Sequence, residues 1–220
     1  MPSDGRPFPR VRALITAAAD AGKRGSFART FDAALDTHLI TREVLGDHEV
    51  DLACLDDEPW QSLMAAAVPR LYQTKNRGWD PVFDLLNEVK GYIYLKSMQC
   101  EDIAFVTPTY ERKSPDLRAI LNGRPVLCEV KTISTSDGAA PADAFFAGKF
   151  RRMIAEAQAQ LDAFSDGDCR KIIFIVLRFG EILNEATAAQ LDACLKQASA
   201  DLDEVEVKVF ANGKFDPGTI

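Results

Sequence analysis

Ser114-Pro115-Asp116-Leu117-Arg118-Ala119-Ile120-Leu121-Asn122-Gly123-Arg124-Pro125-Val126-Leu127-Cys128-Glu129-Val130-Lys131-Thr132 is the stretch that decides the fold. It reads as two short strands joined by Asn122-Gly123, a dipeptide that tolerates the positive φ angles of a two-residue hairpin turn. Side chains on a strand alternate between faces. Val126, Cys128 and Val130 therefore share one face, and Leu127, Glu129 and Lys131 share the other. Asp116 opens the partner strand. Two carboxylates and an ammonium converging on one patch can hold a divalent cation and a water molecule.

Working outward, Pro81 to Leu95 carries Val82, Leu85, Leu86, Val89 and Ile93 at helical spacing. Asp80 suits its cap and Pro81 its first turn. Glu88 lies beside this stripe. Glu101 to Val106 reads as a strand before the hairpin. Thr132 to Asp143, rich in Ser, Thr, Gly and Ala, reads as a loop. Ala144 to Phe164 reads as a long helix with Lys149, Arg151 and Arg152 near its start, where basic side chains can meet a phosphate backbone. Lys171 to Leu177 is almost unbroken apolar sequence, as expected of a strand buried on both faces. Leu183 to Ala200 follows as a helix and Val205 to Phe210 as a last strand.

The hairpin resembles the PD-(D/E)xK nuclease superfamily. Pro115-Asp116 matches the Pro-Asp element and Glu129-Val130-Lys131 the acid-x-Lys element, with 12 residues between the two acids. The resemblance implies an α/β fold with a restriction-endonuclease-like core, a mixed central sheet flanked by helices. It implies a Mg²⁺ ion, with Mn²⁺ as a substitute, held by Asp116, Glu129, the Val130 carbonyl and, as a further ligand, Glu88. Lys131 would orient the attacking water or help to deprotonate it. Gln160-Leu161-Asp162-Ala163-Phe164 is similar to the Gln-hydrophobic-x-x-Tyr motif of RecB-type nucleases, with Phe in place of Tyr. Gln158 competes with Gln160 for that role. Lys149, Arg151, Arg152 and these glutamines form the expected substrate-binding set. The implied substrate is nucleic acid, DNA by family frequency, and a duplex-cutting member commonly works as a homodimer.

Plainer readings stand beside these. Glu129 and Lys131 can form a solvated ion pair on an open sheet face. Glu88 can pair with Lys90 or Tyr92 at a solvated edge. The whole chain can be a relative that keeps the fold and binds nucleic acid or protein without cutting, or an interaction domain with no nucleic-acid role.

Composition sets the outer bounds. A chain of 220 residues, 47% hydrophobic, can bury one sizeable core with an appendage. No apolar run approaches the roughly 18 residues that span a bilayer, and no leader peptide is expected. The odd number of cysteines, five, at wide spacing argues against a disulfide framework and for a reducing, cytoplasmic setting. With no Cys-x-x-Cys pair, zinc and iron–sulfur sites are not expected. The net charge of −7 is unevenly spread. Residues 1 to 30 hold six Lys/Arg against two Asp/Glu, whereas residues 47 to 58 hold six Asp/Glu and no Lys/Arg. Arg112, Lys113, Arg118, Arg124 and Lys131 outnumber Asp116 and Glu129 around the hairpin, a local positive field that suits a polyanion.

The division expected from sequence is a helical extension over 1–78 and a nuclease-like core over 79–220. Within the extension, Pro9 to Ala21, Ser26 to Leu39 and Trp60 to Arg70 read as helices, and Leu71 to Gly78 as a basic link. His38 and His48 sit among acids and read as incidental surface residues.

Overall fold

The computed structural model describes residues 7–20, 31, 39–71, 80–108, 113–134, 144–165, 167–178, 185–199 and 205–211. These fall into two compact units, Met1–Glu111 and Arg112–Ile220. The fold is α/β, with strands of mixed direction and flanking helices.

The first unit holds α1 (Pro9–Asp20), α2 (Leu39–Ala53), α3 (Asp57–Arg70), α4 (Asp80–Ser97) and β1 (Glu101–Phe105). Helix α4 buries Val82, Leu85, Leu86 and Val89, the stripe legible in sequence. Its contacts are with α2, α3 and β1. The first backbone N–H groups of a helix lack helical acceptors. Here the Glu49 carboxylate accepts from the N–H of Arg10 (2.8 Å) and of Val11 (3.0 Å), tying α2 to the start of α1. Ser62 on α3 both donates to the Phe105 carbonyl and accepts its N–H, at 3.0 and 3.1 Å, so a hydroxyl stands in for a strand partner at the end of β1.

Several expectations change in this unit. Helix α2 covers a stretch whose dense acids hide its apolar positions, although Leu45 and Leu52 are fully buried. The expected helix Ser26 to Leu39 and the link Leu71 to Gly78 lie almost wholly outside the described residues, as does His38. His48 is not a surface residue. It is buried against the Phe83 ring, with Nδ1 3.9 Å from Asp51 Oδ2. Lys90 on α4 donates to the same Asp51 oxygen (2.5 Å), joining the two helices. The expected boundary at 78/79 falls inside this unit, because α4 and β1 pack on the N-terminal helices.

The second unit holds β2 (Leu117–Leu121), β3 (Arg124–Ser134), α5 (Ala144–Phe164), β4 (Arg170–Arg178), α6 (Glu185–Ser199) and β5 (Val205–Ala211). Asn122 and Gly123 turn the hairpin with φ of 53° and 77°. Strand β2 runs antiparallel to β3, and β3, β4 and β5 are mutually parallel. Strand β3 outlasts the expected start of the loop because β-branched Thr132 and Ile133 pair with Val176 and Leu177. Residues 135–143, the rest of that loop, lie outside the described residues. Parallel neighbours need a crossover, and α5 supplies it between β3 and β4. Phe150, Ile154, Ala157 and Leu161 of α5 pack on Leu127 and Ile133 of β3 and on Ile173 and Ile175 of β4. That is the sheet face that also carries Glu129 and Lys131. Strand β4 is buried from Ile172 to Leu177 without interruption, as its apolar run requires.

Candidate active site

The hairpin register builds the site. Leu117 lies opposite Cys128. One step further along the same register sets Asp116 across from Glu129. Past that point β2 has ended, so Val130 has no β2 residue to receive its N–H. The Asp116 side chain takes the place of one, and its Oδ2 accepts from Val130 N at 2.8 Å. A strand residue points its N–H and C=O to the same edge, which turns the Val130 carbonyl toward Asp116 as well.

Glu129 is 2% exposed, so the open, solvated ion pair is not what the chain forms. Helix α5 covers it. Lys131 Nζ donates to Glu129 Oε1 at 2.5 Å. Gln160 Nε2 donates to Glu129 Oε2 at 2.8 Å and to the Ser114 carbonyl at 2.6 Å. One glutamine thus ties helix, strand and the entry to β2 together. A buried carboxylate needs such donors, because burying a charge without partners is costly.

Lys131 is shaped by opposing effects. Burial, the largest of them, pulls its ammonium toward losing its proton. The Glu129 charge and hydrogen bond, with the charges of Asp116 and Glu156, together outweigh that and hold its pKa above the ordinary lysine value of 10.5. With Glu129 beside it, Lys131 is an ammonium at neutral pH.

The other expected residues are placed as follows. Gln158 sits two positions from Gln160, roughly 200° around the helix, and faces away from Glu129. Lys149 is half-buried on α5, whereas Arg151 and Arg152 are exposed. Arg152 lies 3.9 Å from Glu156, one turn on. Glu88 belongs to the first unit, buried at 5% exposure. It forms an ion pair with Arg70 on α3 and is not at a solvated edge. Sequence reading missed two groups, the Ser114 carbonyl and Glu156. The i, i+4 spacing of Glu156 and Gln160 is the only signal for the second.

All five cysteines are free thiols, and among the described residues no group of three His, Cys, Asp or Glu side chains is arranged to hold a metal. No helix among them is long and apolar enough to cross a membrane. Compared with known proteins, the chain matches no family model and no curated sequence.

Proposed function

We propose that the second unit hydrolyses phosphodiester bonds in nucleic acid, with DNA as substrate and Mg²⁺ as cofactor. The observation that carries this reading is the burial of Glu129 opposite Asp116 with an ammonium on it. A carboxylate at 2% exposure on a sheet face costs stability unless it has a task or a full set of donors. The available donor set suits a hard cation: two carboxylates, Asp116 and Glu129, and the Val130 carbonyl at the same edge. Glu88 is engaged by Arg70, and the reading does not depend on it. A bound Mg²⁺ would supply Lewis-acid polarisation of the phosphate and lower the pKa of a water.

The chain's own groups supply the rest. Lys131, held as an ammonium, offsets negative charge that develops on the phosphoryl oxygens and orients the attacking water. Gln160 fixes the Glu129 carboxylate through Oε2, so the group does not have to be ordered when substrate arrives. On this reading Lys149, Arg151 and Arg152 on α5 meet the phosphates, and binding through them weakens steeply with salt.

Incubating supercoiled plasmid with the protein tests this. Nicked or linear product should form in Mg²⁺, vanish with chelator, and be lost in Asp116→Asn and Glu129→Gln. No cleavage by the parent in Mg²⁺ or Mn²⁺ would overturn it. One observation favours a non-cutting relative instead: both Glu129 oxygens already receive N–H donors. That alternative predicts a salt-sensitive gel shift on DNA that persists in chelator, with the DNA intact.

A further inference from the structure

The crossover fixes which part of α5 stands over which part of β3. Helix α5 joins two parallel strands, so it runs antiparallel to β3. Gln160 on Glu129 pins the alignment at one point. Stepping back four residues along the helix, from Gln160 to Glu156, covers about 6 Å. Stepping forward two residues along the strand, from Glu129 to Lys131, covers about 6.7 Å on the same face. The two steps match, and they bring Glu156 over Lys131 as Gln160 is over Glu129. The electrostatics agree, since the Glu156 charge is among those acting on Lys131.

Glu156 is otherwise lightly engaged. Its contact with Arg152 is 3.9 Å, with both side chains largely exposed, the kind of surface pair that contributes little. It is therefore available to a second cation. Lys131 needs such a partner on the proposed reading. Its side chain is 24% exposed, and its acceptor is Glu129. Once Glu129 is committed to a metal ion, the ammonium loses that acceptor and is pushed by a like charge. Asp116 is committed at the same moment. Among the described residues, the carboxylate then left acting on Lys131 is Glu156.

We propose that Glu156 is a positioning residue for Lys131: it receives the ammonium when Glu129 and Asp116 turn to a cation, and so keeps the lysine at the site. This rests on the metal-dependent reading above. It makes Lys131 a side chain with two stations, Glu129 before the cation binds and Glu156 after. The stripe Arg152–Glu156–Gln160 on one face of α5 then has distinct tasks along its length.

The test is a double-mutant cycle on Mn²⁺ binding to the full chain, followed by loss of the free-ion signal in electron paramagnetic resonance. The four proteins are the parent, Glu156→Gln, Lys131→Ala and the double variant. Glu156 is exposed, and unchanged thermal melts establish that its variants fold. Glu156→Gln should weaken Mn²⁺ binding about tenfold in the parent, and by less than about twofold where Lys131 is already alanine. Glu156→Asp, which keeps the charge one methylene back, should recover binding to within about threefold of the parent. Equal losses in both backgrounds would make Glu156 a bulk negative charge and overturn the inference, as would no loss in either. If neither the parent nor Lys131→Ala binds Mn²⁺, the metal-dependent reading itself fails and takes this inference with it.

Discussion

Each unit of the chain buries a glutamate against a cation, and the two pairs are built differently. In the first, Glu88 meets Arg70, whose Nη2 also donates to the Val106 carbonyl at 3.0 Å just past β1. The guanidinium is a planar fork that bonds a carboxylate and a backbone carbonyl together, so the pair fastens α3, α4 and the end of β1. In the second, Glu129 meets Lys131, a point charge on a flexible stem, and shares its other oxygen with an amide. Nothing in that pair is tied to a strand end by the cation. The first arrangement holds structure in place. The second sets an ammonium near a second carboxylate, Asp116, where β2 begins. A buried ion pair is therefore informative through what else its cation touches.

The comparison breaks most sharply on stability. Arg70→Leu takes the paired cation from a buried carboxylate and should cost about 3–5 kcal/mol in urea unfolding. Lys131→Leu leaves Glu129 the Gln160 donor on its Oε2, and should cost about 1–2 kcal/mol. Equal costs would erase the distinction between the two pairs. Next in size are the two glutamines. Gln160→Ala removes the donor shared by Glu129 and the Ser114 carbonyl and should cost about 1–3 kcal/mol, whereas Gln158→Ala should stay within about 0.5 kcal/mol. A reversed order would mean that the helix meets the sheet in another register.

How much of this was legible depended on range. Asn122-Gly123 announced the hairpin, because the turn chemistry is local. The α5 limits, Ala144–Phe164, followed from helix-forming residues with regular apolar spacing. Helix α2 was hidden, because Asp47, Glu49 and Asp51 occupy its stretch while the buried Leu45, His48 and Leu52 are few. The fate of Glu129 and Lys131 could not be read at all. An acid and a base two apart on a strand look alike under water or under a helix, and the deciding cover comes from Gln160, 31 positions on. The partnership of Glu88 with Arg70 was missed for the same reason, since it joins two helices.

Smaller effects sharpen the picture. Gly123 holds φ of 77° with nothing within 4 Å of where a Cβ would stand, so Gly123→Ala meets no clash. Its cost is conformational alone, about 1 kcal/mol, read from the urea midpoint. Alkali should weaken both units for opposite reasons. Lys131 has its pKa raised in the fold, so its contribution is complete below 10.5 and fades as pH climbs through the folded value. Tyr92 in the first unit is raised by burial first and by the Asp56 charge, against Lys96. Its phenol stays neutral when folded while the unfolded chain ionises above 10.0, so stability again falls as pH rises. Unfolding measured at neutral pH and in alkali should show the loss in the parent, with a smaller loss in Lys131→Leu.

The central claim is that Lys131 serves catalysis at a site whose oxygens belong to Asp116 and Glu129. Plasmid cleavage in Mg²⁺ by Lys131→Ala, with Mn²⁺ binding measured on the same protein, tests it most directly. The account predicts that binding is kept or strengthened while cleavage falls by about a hundredfold or more. Cleavage at the parent rate by Lys131→Ala would contradict it.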